Sequence, residues 1–155
     1  MTKILIPVDG SERSLQAVRQ AIQSSKALHS LEIQLLNVQP RIFAEETLVF
    51  MPVDKIDSYY YERSSKALTP AAQLLSEAAV PFVAHRAVGP IAETIVEKSR
   101  QLECDSILMS TRGDGSIAGL LLGSVSTKVL HLADLPVTLV KDKSRPDFTG
   151  RLQAT

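Results

Sequence analysis

Lys3-Ile4-Leu5-Ile6-Pro7-Val8 runs straight into Asp9-Gly10-Ser11, and the reading of this stretch decides the fold. A short apolar run stopped by a polar turn is what a central parallel strand looks like when both of its faces are covered. After the turn, apolar residues recur at Leu15, Val18, Ile22 and Leu28, the spacing of a helix, with Ser11 placed as its N-cap. A buried strand, a tight turn and an amphipathic helix make the first half of a β-α-β unit.

The same grammar continues outward. Asp105–Ser110 is a second short apolar run stopped by polar residues, Leu31–Val38 alternates and then becomes continuous, and the more mixed Pro81–Val88 suits a sheet edge. Pro136–Val140 is a fifth run, led by a proline where strands tolerate one. Between the strands lie helical patterns. Residues 56–79 carry Ile56, Tyr60, Ala67, Ala71, Leu74, Leu75 and Ala78 at helical spacing, and Pro70 predicts a kink or a restart capped by Thr69. Ile91, Ile95 and Leu102 mark another helix; a last one starts at Gly123 or Ser124 and turns Val125, Val129 and Leu132 inward. Strands alternating with helices predict an α/β fold, a doubly wound parallel sheet with right-handed crossovers. Ligands of such sheets sit beyond the carboxyl ends of the strands, where strand order reverses, which directs attention to Asp9, Val38 and the segment after Ser110. Residues 39–55 read as one long irregular insertion. Residues 1–141 read as one domain and 142–155 as a polar tail.

With 155 residues, 45% of them hydrophobic, the chain is long enough for one packed core and too apolar to be disordered. Seventeen basic residues balance 17 acidic ones without a Lys/Arg run, so neither nucleic acid nor an anionic membrane is expected as a partner. No apolar run approaches the roughly 20 residues that span a bilayer, and no signal peptide is visible, so the cytoplasm is the expected location. Cys104, the single cysteine, has no partner for an intrachain disulfide and precedes an apolar run; it reads as an inert core thiol. His29, His85 and His131 fall in different elements without ligand spacing, so no metal site is expected.

Chemistry concentrates between Ser110 and Ser126, where a buried strand gives way to a loop with glycines at 113, 115 and 119 and then to a helix opening Gly123-Ser124-Val125-Ser126. The first turn of a helix offers amides without intrahelical partners and the positive end of the macrodipole. Glycine lets the backbone approach an anion, and serine adds hydroxyl donors, which together describe a phosphate cradle. A second reading stands beside it: Ser124 as a plain N-cap and the glycines as turn residues. The stretch is neither a Walker loop, since no Lys-Ser or Lys-Thr follows the glycines, nor the dinucleotide fingerprint, which would follow the first strand. Asp9 has two readings as well, a ligand-facing carboxylate or a helix cap, and Arg112 is either a phosphate ligand or a solvated loop charge. Lys128 reads as a surface lysine. Tyr59-Tyr60-Tyr61, with no basic residues interleaved, reads as helix packing with an exposed side.

From Lys3 to Lys141 the sequence resembles the universal stress protein family. Ile6-Pro7-Val8-Asp9-Gly10-Ser11 is similar to that family's first strand and turn, Gly89-Pro90-Ile91-Ala92-Glu93-Thr94-Ile95 to a later helix start, and Leu121-Leu122-Gly123-Ser124-Val125-Ser126 with Leu135-Pro136-Val137 to the final helix and strand. The resemblance implies a five-stranded sheet of order 3-2-1-4-5. Members that bind ATP carry Gly-x-x-Gly, nine residues, then Gly-Ser or Gly-Thr; Gly113, the spacer 114–122 and Gly123-Ser124 fit, while the first glycine is Ser110. A Cβ there is expected to crowd the ribose and, if the position requires positive φ, to cost about 1–2 kcal/mol. By resemblance, Asp9 bonds the adenine or ribose, the backbones of Pro7, Val8 and Val38 frame the base, and Met109 and Ser110 flank the ribose. Arg112, Gly113, Gly123, Ser124, Val125 and Ser126 hold phosphates. The implied ligand is ATP or AMP, with Mg²⁺ accompanying a triphosphate, and the implied assembly is a homodimer pairing Pro136–Val140 as an antiparallel edge.

Hydrolysis requires a positioned base and an electrophilic partner for the leaving phosphate. The sequence displays neither, so the expected function is a nucleotide-binding stress regulator that is at most a slow ATPase. The alternative is a dimeric interaction module of the same fold that has lost its nucleotide. An adenylate-forming enzyme would need Ser-Gly-Gly-x-Asp-Ser or His-x-Gly-His elements, and a phosphoacceptor centred on Asp9 would need an acidic cluster; the chain contains neither.

Overall fold

The computed structural model describes residues 1–28, 30–42, 44–111 and 122–141. Five strands, β1 (Thr2–Pro7), β2 (Leu31–Gln39), β3 (Phe82–Val88), β4 (Ser106–Ser110) and β5 (Val137–Val140), form one sheet of order β3-β2-β1-β4-β5. Every pairing is parallel, from Thr2 opposite Leu31 in β1·β2 to Ser110 opposite Val140 in β4·β5. Order reverses at β1, which has β2 on one side and β4 on the other.

The helices are α1 (Ser14–Ser25), α2 (Glu45–Leu48), α3 (Val53–Glu77), α4 (Ile91–Gln101) and α5 (Ser124–Leu132). Successive side chains of a strand point to opposite faces, and β1 shows the consequence. Ile6 packs with Leu15 and Val18 of α1 and with Leu68, Ala71 and Leu75 of α3. Its neighbour Leu5 packs with Ile95 and Val96 of α4 and Val129 of α5. Both are fully buried, so a strand with two covered faces reads as a continuous apolar run.

The turn after β1 is built from its own side chains. Asp9 Oδ1 accepts the Ser11 amide (2.9 Å) and hydroxyl (2.5 Å), and Ser11 Oγ in turn accepts the Ser14 amide at the head of α1 (3.2 Å). The sequence predicts Ser11 as the N-cap; the N-cap position of α1 is Arg13, and Ser11 contributes by taking the helix's first amide. Gly10 takes φ +84°, and a Cβ there would stand 3.1 Å from the Ala67 backbone, so α3 can lie across this turn only because the residue is glycine.

Several expectations are corrected. Residues 39–55 are not one irregular insertion: Gln39 extends β2, α2 makes a single turn, and α3 begins at Val53. The helix over residues 56–79 does not restart at Pro70. It is continuous from Val53 to Glu77, and Thr69, rather than capping, donates its hydroxyl to the Ser65 carbonyl (2.7 Å). Burial of Ser64, Ala67, Leu68, Ala71 and Leu75 on one face holds α3 together through the proline. Leu28, Ala78 and Leu132 do not turn inward; each lies at or past the end of a helix and is exposed. The 142–155 tail lies outside the described residues. No helix among the described residues is long and apolar enough to cross a membrane.

Candidate functional site

At the reversal point the strand ends splay and leave a cleft of about 280 Å³. Its floor is apolar, made of Pro7 and Val8 of the β1 end, Leu36 and Val38 of β2, Ile91 and Ile95 of α4, and Met109 of β4. The walls are polar: Asp9, Ser11, Arg13 and Ser14 on the α1 side, Ser110 and Thr111 at the β4 end, and Gly123, Ser124, Val125 and Ser126 at the start of α5. Ten of the sequence-selected residues, Pro7, Val8, Asp9, Val38, Met109, Ser110, Gly123, Ser124, Val125 and Ser126, therefore line one cleft although they come from four separate parts of the chain. Arg112 and Gly113 lie outside the described residues.

The start of α5 suits an anion. Gly123 precedes the helix with extended backbone (φ −60°, ψ 160°), no side chain caps its amides, and no acidic residue occupies its first turn. Gly123's own carbonyl accepts the Thr127 amide (3.0 Å) and hydroxyl (3.1 Å), which fixes the first turn from behind and leaves its amide face toward the cleft.

Across from it, burial pushes the Asp9 carboxyl up, but the hydrogen bonds from the Ser11 hydroxyl and amide, with Ser14 adding to them, outweigh that effect and hold it below its ordinary value. Asp9 is an ionised acceptor at neutral pH that organises the turn ahead of α1 and lines the cleft.

Ser110 departs from the expectation of strain. It lies in β4, and among the described residues only Ala79 and Glu103 are non-glycine positions with positive φ. Its Oγ accepts the Ala17 amide of α1 (3.1 Å), so the hydroxyl is engaged by the scaffold. Lys128 is a surface residue, as read, and donates to Glu93 of α4 (3.0 Å) with both side chains exposed. The Tyr cluster is less bland than its sequence: Arg63 lies over the Tyr59 ring at 5.5 Å and Arg86 of β3 over Tyr61 at 4.3 Å, while Tyr60 Oη accepts the Ile42 amide (3.3 Å). Burial raises the Cys104 thiol to about 11, Asp105 and Glu32 adding to it against Lys3, so it stays protonated and inert. Among the described residues no three His, Cys, Asp or Glu side chains stand together as a metal site.

Ser11, Arg13, Ser14, Leu36, Ile91, Ile95 and Thr111 line the cleft without having been selected. Arg13 carried a signal. A cation at the start of a helix opposes the macrodipole, and a local conflict of that kind marks positions kept for another reason.

A doubly wound sheet with an apolar, hydroxyl-walled cleft at its reversal point, closed by a helix N-terminus, defines an α/β domain with a ligand-sized cleft. The model of the universal stress protein family matches residues 1–141, and the chain belongs to that family. It is 31% identical over 145 residues to Universal stress protein MJ0531 of Methanocaldococcus jannaschii, covering 90% of this chain and 81% of that one. Among solved structures, the hypothetical protein MJ0577 superposes with a TM-score of 0.75 at 26% identity, over 93% of this chain and 98% of the other. An Arabidopsis thaliana family member, At3g01520 with AMP bound, shares the fold with a TM-score of 0.66 at 21% identity, over 93% and 94% of the two chains.

Proposed function

We propose that this chain is a cytoplasmic stress-response regulator that binds an adenine nucleotide, ATP or AMP, in the cleft between Asp9 and the start of α5. The observation that carries the reading is the opposition of an apolar floor, sized for a base, to a helix N-terminus free of acidic residues. Pro7, Val8 and Val38 frame the base, Asp9 accepts from a ribose hydroxyl or the adenine amino group, and Met109 and Ser110 flank the ribose. Gly123, Ser124, Val125 and Ser126 take the phosphates; Arg112 and Gly113 join them on the resemblance alone. AMP in an Arabidopsis family member of the same fold supports the choice of base. Mg²⁺ accompanying a triphosphate would be carried by the phosphates, since the described residues offer no cluster of their own. The signal is occupancy of the site, with ATP turnover at most slow. A second copy of the chain, paired along β5, completes the proposed assembly.

Titration calorimetry with ATP, ADP and AMP tests the proposal. Saturable binding is expected, weakened at least tenfold by Ser124→Glu, which sets a carboxylate where the phosphates belong. Absence of saturation up to millimolar nucleotide would leave the interaction-module reading in its place.

A further inference from the structure

Behind the cleft, a line of side chains runs from the protein surface to the main chain of β1. Arg63 is exposed on α3, and its Nε donates to Gln39 Oε1 (3.3 Å). Gln39 Nε2 donates to Asn37 Oδ1 (2.7 Å), and Asn37 Nδ2 donates to the Val8 carbonyl (2.8 Å). A guanidinium only donates and a carbonyl only accepts, so the two ends fix the orientation of both amides between them. The line has a single direction.

Its inner member is buried: Asn37 is 2% exposed. A buried amide bonded at both ends keeps a partner for its nitrogen and its oxygen and acts as a rigid spacer. The place where the line ends gives it meaning. The Val8 amide still makes a ladder bond to the Leu36 carbonyl (2.8 Å). Main-chain groups alternate sides along β2: the Leu36 carbonyl faces β1, and that of Gln39 faces the β3 side, where it accepts the Gly89 amide (3.0 Å). The next rung toward β1 therefore belongs to Val38, and the Val8 carbonyl that this rung would use is held by Asn37. Strands β1 and β2 part there, where Pro7, Val8 and Val38 all line the cleft.

We propose that Asn37, Gln39 and Arg63 are positioning residues for the base end of the nucleotide site, holding the strand ends apart so that a flat purine enters beside the Val38 main chain. The proposal rests on the nucleotide reading above and deepens it. None of the three side chains touches the ligand; they act through Val8. With ribose and phosphates fixed toward α5, an amide and a carbonyl on the Val38 edge discriminate by polarity, and a 6-amino purine is favoured over a 6-oxo purine.

Calorimetric titration of the full chain with AMP, GMP and ribose 5-phosphate tests the device. Asn37→Leu is expected to lower AMP affinity about tenfold and to leave GMP and ribose 5-phosphate unchanged, so the AMP to GMP preference falls about tenfold. Arg63→Met, which removes the outermost donor together with its contact over the Tyr59 ring, is expected to lower that preference about two- to threefold. Asn37→His keeps a ring N–H to donate and is expected to restore most of it. Should Asn37→Leu not fold, Gln39→Leu breaks the line one bond further out and is read the same way. Equal losses for all three ligands, or an unchanged AMP to GMP ratio in the variants, overturn the positioning role while leaving nucleotide binding intact. Wild-type protein that takes up no AMP overturns both.

Discussion

Ser110 lines the cleft and Gly10 turns the chain beside it, and each is tied to a helix. Adding a methyl at Gly10 would force positive φ on an L residue and press a Cβ to 3.1 Å from the Ala67 backbone. Gly10→Ala is therefore expected to destabilise the fold by about 2 kcal/mol, read as a lower urea midpoint at unchanged slope. Ser110→Gly makes the opposite case. The family pattern has glycine there, yet the Ser110 hydroxyl accepts the Ala17 amide and its backbone is an ordinary strand. Restoring the glycine removes that acceptor and adds backbone freedom, so about 1 kcal/mol of stability should be lost with no gain in nucleotide affinity. A rise in affinity of tenfold or more would show that the side chain had been obstructing the ribose. Asp9 titrates in a defined direction. Its carboxyl is held below the usual value, so the stability contributed by its bonds to Ser11 is present above the unfolded-state value of 3.8 and is lost as pH falls through the folded value.

Among the elements, strands were more legible than helix ends, for a physical reason. β1 and β4 are covered on both faces, so their central residues report burial whichever way they point, and each end lies within one residue of the sequence reading. A helix reports burial only on one stripe, and its last turn drifts off the core; Leu28 and Leu132 fit the spacing and are 44% and 43% exposed. The cleft was legible where the resemblance named residues, and Asn37 was not, because its bond to the Val8 carbonyl joins positions 29 apart in sequence. The expected restart at Pro70 went wrong through the same locality. Pro70 breaks a helix considered alone, but α3 has a buried stripe on both sides of it. It still lacks an N–H for the preceding turn, so Pro70→Ala is expected to stabilise the fold by about 1–3 kcal/mol in thermal or urea unfolding. β3 carries a pH-dependent contact. His85 Nε2 lies 2.6 Å from Gln34 Oε1 of β2, and burial together with Lys98 lowers its affinity for a proton. Because the unfolded chain binds that proton more readily, stability should be full above pH 6.5 and decline as pH falls below it, and His85→Gln should flatten the decline.

At the scale of the molecule, the sheet ends in two edges of different kinds. β3 presents His85 and Arg86, and charged or bulky polar residues on an edge discourage pairing. β5 is four residues long, apolar but for Thr138, and its inner main-chain groups are spent on β4: the Pro136 carbonyl takes the Ile107 amide and that of Val140 takes the Thr111 amide, both at 2.9 Å. Alternation along the strand turns the groups of Val137 and Leu139 to the open side, where they suit a second copy. In the proposed dimer a two-fold axis would make this edge face itself, so that the same short strand would run antiparallel to its copy and bring Thr138 close to Thr138. In a strand this short no shift of register separates the two by more than a residue or two. Thr138→Glu thus sets like charges against each other across the axis while leaving the exposed side chain's own surroundings undisturbed. Sedimentation equilibrium at tens of micromolar should give twice the 16.9 kDa chain mass for the wild type and the single mass for the variant. A wild-type protein that sediments at the single mass removes the dimer. A Thr138→Glu protein that stays dimeric moves the interface off β5, and the apolar edge then needs another occupant.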